Sequence, residues 1–410
     1  MSHEHGALVS QFRETLTQQR YSPVVVHNYC RNADYFLCYL VERKIALEAV
    51  SPAEVSNYLR LAIRRFRQRH GRAPAGDWVT IPRSGIHGLL RLALKRWPPE
   101  PATSDAGELL CREVCGQYQT WLREERGLAV ASVDALMWEA QYFCAWYIGR
   151  AGKPSFMDLG IRDVDAYFEM RSPGLRRKSL KDVAERLRSL MRHLHRTGRT
   201  TGDLARQIIA PMLYAYEGIP STLSSDQIES VLKSVRNDQS SMGLRDYAIL
   251  QLLSTYGLRA GEITHLRLDD IDWRAETLHI CHSKTGAHSL LPLLEPVGEA
   301  LLNYLRRARP KTDARELFIR MRAPYRPMVR IYSEVRRRME AAGVKPSGKR
   351  GPHIFRHARA VSLLRASVPR KVIGDVLGHR SSEATVPYLK LATEDLRAIA
   401  LEIPGWEVRS

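Results

Sequence analysis

Gly257–Leu293 reads GLRAGEITHLRLDDIDWRAETLHICHSKTGAHSLLPL, and inside it the chain changes pattern. Just upstream, Leu244–Tyr256 is an apolar run of helical length that stops at Gly257, and Ala260–Leu268 reads as a second short helix. Then Asp270–Trp273, Thr277–Cys281 and Ser289–Leu293 follow as short β-rich runs separated by turn residues. They predict a three-stranded antiparallel sheet. Pro292 in the third run suits an edge strand, where its missing N–H costs no ladder bond. From Pro296 onward the pattern is helical again. The fold class is therefore mainly α with a small antiparallel β-sheet, an α+β domain behind a helical first half.

That first half repeats itself. Phe12, Leu16 and the stretch ending Tyr35-Phe36-Leu37-Cys38-Tyr39-Leu40, then Val55 and Tyr58, are followed about 107 residues later by Tyr118, Leu122, Tyr142-Phe143-Cys144-Ala145-Trp146-Tyr147, Val164 and Tyr167. Each copy closes with a basic helix, around Ser84–Arg91 and around Ala184–Arg192. One copy of three or four helices suffices for a small bundle. Gly218-Ile219-Pro220 breaks the pattern before a new helix, which Ser225 or Asp226 is placed to cap. The expected layout is an additional helical domain over 1–101, a second over 108–210, a linker over 211–222, the α+β domain over 223–402 and a tail over 403–410.

The chain has 410 residues, enough for two or three cores, and its 63 Lys and Arg against 44 Asp and Glu leave a net charge of +19. A polyanionic partner would balance that excess. The basic residues fall in runs: Arg60, Arg64, Arg65, Arg67 and Arg69, then Arg176–Lys181, Arg306–Lys311, Arg320–Arg330, Arg336–Arg338 and Lys345–Arg350. No stretch reaches the length of a membrane span, and Met1–Ser10 lacks the order of a signal peptide. The six cysteines are too sparse for a disulfide framework, so a cytoplasmic protein is expected. Cys111 and Cys115 sit at helical spacing without a second ligand pair, which argues against zinc.

An ordered series of motifs carries the chemistry: Gly257-Leu258-Arg259-Ala260-Gly261-Glu262, Ser283-Lys284-Thr285-Gly286, His353-Ile354-Phe355-Arg356-His357, Leu377-Gly378-His379, and Tyr388. Arg356 follows Arg259 by 97 residues, His379 follows Arg356 by 23, and Tyr388 follows His379 by 9. Two permanently charged, planar guanidiniums suit the non-bridging oxygens of a phosphodiester whose transition state gains negative charge. Glu262, three residues after Arg259, is placed to orient it.

In order and spacing this series resembles the tyrosine recombinase (phage integrase) family, strongly over Thr222–Glu402 and more weakly over Leu109–Arg206, which is similar to the family's helical core-binding domain. The resemblance implies a site-specific DNA recombinase of a mobile element with Tyr388 as nucleophile, Arg259 and Arg356 on the phosphate, Lys284 as general acid, and His353 and His379 as donors or proton-transfer groups. It implies a covalent 3′-phosphotyrosyl link with no cofactor, metal or nucleotide. It further implies two domains closing around duplex DNA, with Lys178, Lys181 and Arg186 near the backbone or bases, and a synaptic homotetramer, with sibling recombinases or accessory DNA-bending proteins as further partners. The copy over 1–101 goes beyond the minimal family plan. Two positions depart from the usual pattern: Ile354 after the first histidine, and Pro387 directly before Tyr388.

Two other readings compete. A type IB topoisomerase-like relaxing enzyme shares the covalent chemistry and acts as a monomer, but the tandem helical copies and the tail segment Leu389–Ser410 favour recombination. A non-catalytic DNA-binding protein of the same fold has no need of Tyr388 and both arginines.

Overall fold

The computed structural model describes residues 3–94, 96–100, 103–213, 221–282, 286–346, 348 and 350–378. The chain divides into two compact units, Met1–Pro99 together with Gly218–Ser410, and Glu100–Glu217.

The first unit opens with four helices: α1 (His3–Gln18), α2 (Pro23–Glu42), α3 (Pro52–His70) and α4 (Thr80–Ala93). The Ser22 and Ser51 hydroxyls accept from the Val25 and Glu54 amides, and each serine is followed by a proline whose missing N–H would have had no partner in a first turn. Phe12, Leu16, Phe36, Leu40, Tyr58, Ile86 and Leu89 fill the interior. The Arg20 guanidinium, in the turn after α1, donates to the Lys311 carbonyl (2.6 Å) in the C-terminal part of the same unit.

The second unit is α5 (Ala106–Thr120), α6 (Val130–Ala151), α7 (Ile161–Arg171) and α8 (Arg177–Arg196). Its buried positions track those of the first bundle. Val26, Cys30, Ala33 and Phe36 are buried, and so are Val133, Met137, Ala140 and Phe143. Val55 and Tyr58 are answered by Val164 and Tyr167, and Ile86, Leu89 and Leu90 by Leu187, Leu190 and Met191. Even a ring contact recurs: Phe36 and Tyr58 meet edge-on at 5.3 Å and 74°, Phe143 and Tyr167 at 5.0 Å and 78°. Where the first bundle has Asn32, the second buries Glu139, which accepts from the Tyr167 hydroxyl (2.6 Å) and faces Arg171 and Arg186.

The rest of the first unit comprises α9 (Ser225–Arg236), α10 (Ser241–Tyr256), α11 (Ala260–His265), β1 (Ile271–Asp272), β2 (Thr277–His282), β3 (Ala287–Pro292), α12 (Glu295–Arg307), α13 (Tyr332–Ala341), α14 (His353–Arg365) and α15 (Arg370–Leu377). α10 is the central helix, buried on every position from Ala248 to Leu253, and packed by α9, α12 and α14. The sheet runs β1-β2-β3, antiparallel, with Leu278 opposite Leu291 and His282 opposite Ala287.

Three local readings are corrected. The cap of α9 is Ser224, not Ser225 or Asp226: its hydroxyl accepts from the Gln227 amide while the Gln227 side chain accepts from the Ser224 amide. β3 begins at Ala287 rather than Ser289, because Ala287 and His288 pair with the end of β2. The Arg336–Arg338 run is not simply a surface for phosphates. Asp246, buried on α10, accepts from Arg337 (2.9 Å) and Arg338 (2.8 Å), and Arg336 pairs with Glu340 (2.7 Å). Likewise Arg309 donates to the carbonyls of Ala314, Glu316 and Leu317, tying down its own loop.

Candidate active site

Two glycines at helix ends explain how the arginines are held. α10 ends at Gly257 (φ +66°) and α15 at Gly378 (φ +60°), both in the left-handed conformation that costs glycine nothing. The carbonyls gathered there carry the negative end of each helix dipole. Arg356, on the first turn of α14 and only 2% exposed, donates to Gly257 O (3.0 Å) and to Leu377 O. Arg259, two residues past Gly257, donates to Gly378 O (3.1 Å). Guanidiniums 97 residues apart in sequence therefore fasten on one Leu377–Gly378 turn.

Arg259 is oriented from behind by Glu262. One carboxylate oxygen accepts from the Arg259 amide and the other from its guanidinium, both at 2.7 Å. The same Oε1 lies 2.7 Å from His282 Nδ1, and His282 Nε2 lies 2.8 Å from Ser289 Oγ. Burial pushes the Glu262 carboxyl up, but the Arg259 amide, His282 and the Arg259 guanidinium together hold it below the ordinary carboxylate range. Arg259 keeps 22% of its side chain exposed, so it is anchored and still accessible. A Cβ on Gly378 would stand 2.5 Å from both His282 ring nitrogens, so this glycine is required by the ring as well as by its φ.

His353 is the first residue of α14, exposed, its ring 4.7 Å from His357. It stands one turn before Arg356, at the positive end of the helix dipole. Lys284, His379 and Tyr388 lie outside the described residues. Their described neighbours are the strands β2 and β3 on either side of 283–285, and Gly378 directly before His379. Tyr256 is no rival nucleophile: its hydroxyl donates to Pro292 O (2.6 Å) and accepts from the Leu294 amide (3.1 Å), and burial raises its pKa.

On α8 Lys178 is exposed and within 3.7 Å of Asp182, and Lys181 is half-buried, whereas Arg186 turns to the buried Glu139 at 3.5 Å. Sequence reasoning missed His282 and Ser289. The signal was present in the alternation of β2, where Leu278, Ile280 and His282 face inward. Among the described residues no cluster of His, Cys, Asp or Glu is arranged to hold a metal ion, and no helix is long and apolar enough to cross a membrane.

The helical fold with its small sheet is one known from related proteins. The phage integrase family matches residues 221–395. The integrase/recombinase y4gC of Sinorhizobium fredii is 67% identical over 190 residues, which span 46% of this chain and 99% of that protein. A second protein of that organism, y4rA, also named for integrase/recombinase function, is 30% identical over 397 residues, 96% of this chain and 93% of its own. In three dimensions the XerH site-specific recombinase, solved bound to a palindromic difH substrate after cleavage, superposes with a TM-score of 0.57 at 16% identity, over 73% of this chain and 98% of its own. The fold is that of the tyrosine recombinases. The chain belongs to the phage integrase family, and as such is a site-specific DNA recombinase.

Proposed function

We propose that the protein cleaves and rejoins duplex DNA at specific sites through a covalent 3′-phosphotyrosyl intermediate on Tyr388. The observation that carries this reading is the convergence of Arg259 and Arg356 on the Leu377–Gly378 turn, directly ahead of His379. Two guanidiniums so placed suit the non-bridging oxygens of a scissile phosphate, where donors fixed in advance stabilise the charge that develops during attack. The Tyr388 oxygen attacks phosphorus, the bond to the 5′-oxygen breaks, and Lys284 supplies the proton that this leaving group needs. His353 and His379 serve at the same phosphate as donors or proton-transfer groups, one of them taking the proton that the Tyr388 hydroxyl loses on attack. Reversal by a 5′-hydroxyl restores the phosphodiester, so neither metal nor nucleotide enters the balance.

The layout that fits this activity is the catalytic domain over 223–402, preceded by the core-binding bundle over 108–210 and its duplicate over 1–101. The DNA partner is a duplex recombination site, bound by four copies when strands are exchanged. The test is incubation with DNA spanning the inverted repeats that flank the gene, then quenching in detergent. The parent is expected to give a covalent protein–DNA band and Tyr388→Phe none, with binding close to intact. A band that persists in Tyr388→Phe refutes the nucleophile, and none in the parent refutes the covalent mechanism.

A further inference from the structure

The two bundles share a core but not a charge distribution. In the second bundle the fourth helix, α8, is the arginine- and lysine-rich one, while the third, α7, sets Arg162 and Arg171 against Asp163, Asp165 and Glu169. In the first bundle the third helix, α3, carries Arg60, Arg64, Arg65, Arg67 and Arg69 against Glu54 alone, while the fourth, α4, has only Arg83 and Arg91. The first bundle therefore presents its positive charge on a different helix.

On α3, Arg60, Arg64 and Arg67 recur at intervals of four and three and share one face, about 10 Å long at 1.5 Å per residue. All three are exposed. Among the described residues none of them forms an ion pair: Arg60 donates to the neutral Asn57 side chain (2.8 Å), and it is Arg65, on another face, that turns to Glu42 (3.8 Å). The helix dipole favours a cation in the last turn, which accounts for Arg67 but not for Arg60 or Arg64. Three like charges on one face repel each other, and a polyanion laid along them relieves that repulsion.

We propose that α3 binds the phosphate backbone of duplex DNA through Arg60, Arg64 and Arg67, making the first bundle a DNA-binding module that works through its third helix. The proposal rests on the recombinase reading for the choice of polyanion, and on nothing in the catalytic centre.

The test uses the full chain with Arg60→Gln, Arg64→Gln and Arg67→Gln together, titrated by fluorescence anisotropy against a duplex of about 60 bp and arbitrary sequence between about 50 and 200 mM salt. Each phosphate that the protein no longer neutralises lowers the slope of log K against log salt by about 0.9, so the triple variant should fall short of the parent by about 2.7. Over that fourfold change in salt the parent then weakens about 40-fold more than the variant. The matching Lys variants keep the charge and should keep the parent's slope. An unchanged slope in the Gln variant overturns the proposal while leaving the recombinase reading standing. An equal drop in slope in the Lys variant also overturns it, since binding to phosphate requires only the charge. A parent without salt-dependent duplex binding overturns both readings. Should the triple variant fail to fold, the single substitutions decide the matter, each expected to lower the slope by about 0.9.

Discussion

Replacing Gly378 with alanine imposes two separable costs. The first is backbone strain, since an L-residue at φ +60° loses about 1–2 kcal/mol. The second is a collision: the new Cβ would stand 2.5 Å from both His282 ring nitrogens. The ring has little freedom to yield, because Nδ1 faces Glu262 at 2.7 Å and Nε2 faces Ser289 at 2.8 Å. Overpacking of this kind costs about 1–3 kcal/mol, so Gly378→Ala should lose about 2–5 kcal/mol in all. Gly343→Ala supplies the control. Gly343 has φ +72°, and a Cβ there meets nothing within 4 Å, so only the backbone cost of about 1–2 kcal/mol applies. Urea unfolding of the full chain, compared at unchanged m, measures both. Adding His282→Ala to Gly378→Ala should recover part of the loss, with a coupling of about 1–3 kcal/mol in the double-mutant cycle. Equal costs for the two glycine substitutions, within about 0.5 kcal/mol, would refute the claim that His282 is pinned against this turn.

Arg259→Ala should slow single-turnover cleavage by about 10²-fold or more with little loss of stability, whereas Arg356→Ala, buried and bonded to two helix-end carbonyls, should lose both rate and stability, about 1–3 kcal/mol for each carbonyl left unbonded. A rate loss below about threefold would return either arginine to a purely structural role. The Glu262 carboxyl has a depressed pKa in the folded state, so its contribution to stability is present above the unfolded value of about 4.3 and is lost as pH falls through the folded one. Urea midpoints taken through the acid range should therefore fall more steeply with falling pH for the parent than for Glu262→Gln, and parallel profiles would contradict the assignment. Lys284→Ala should be slow on ordinary DNA but restored by a 5′-bridging phosphorothiolate, whose thiolate leaves without a proton. If sulfur helps parent and variant by similar factors, Lys284 acts through charge alone.

How much of this was legible depended on how far each residue had to reach for its partner. α10 was legible because an apolar run ending in glycine is a local signal, and the three strands because turn residues separate them. The start of β3 was misplaced because Ala287 and His288 join the strand only through pairing with β2. The cap of α9 was misassigned to Ser225 or Asp226, because the choice of Ser224 depends on the reach of Gln227. The Arg336–Arg338 run looked like a phosphate surface because its counter-charge, Asp246, lies about ninety residues away on another helix. Arg259 and Arg356 were legible as chemistry from their motifs, and Glu262 as the residue that orients Arg259, but the helix-end carbonyls that hold the pair were not. No pattern in one stretch reveals that Gly257 and Gly378 both end helices facing the same pair of side chains.

That arrangement makes the arginine pair of the proposed catalytic site a late product of synthesis. Arg356 takes one of its carbonyl partners from residue 257 and the other from residue 377, and Arg259 waits for residue 378. A nascent chain that has emerged from the ribosome only as far as α14 holds both guanidiniums but lacks the turn that brings them together. The same is true of any fragment truncated before Leu377. The two arginines of the proposed site are thereby kept from being brought together on an unfinished polypeptide, even when the helical bundles that precede them in the sequence have already folded.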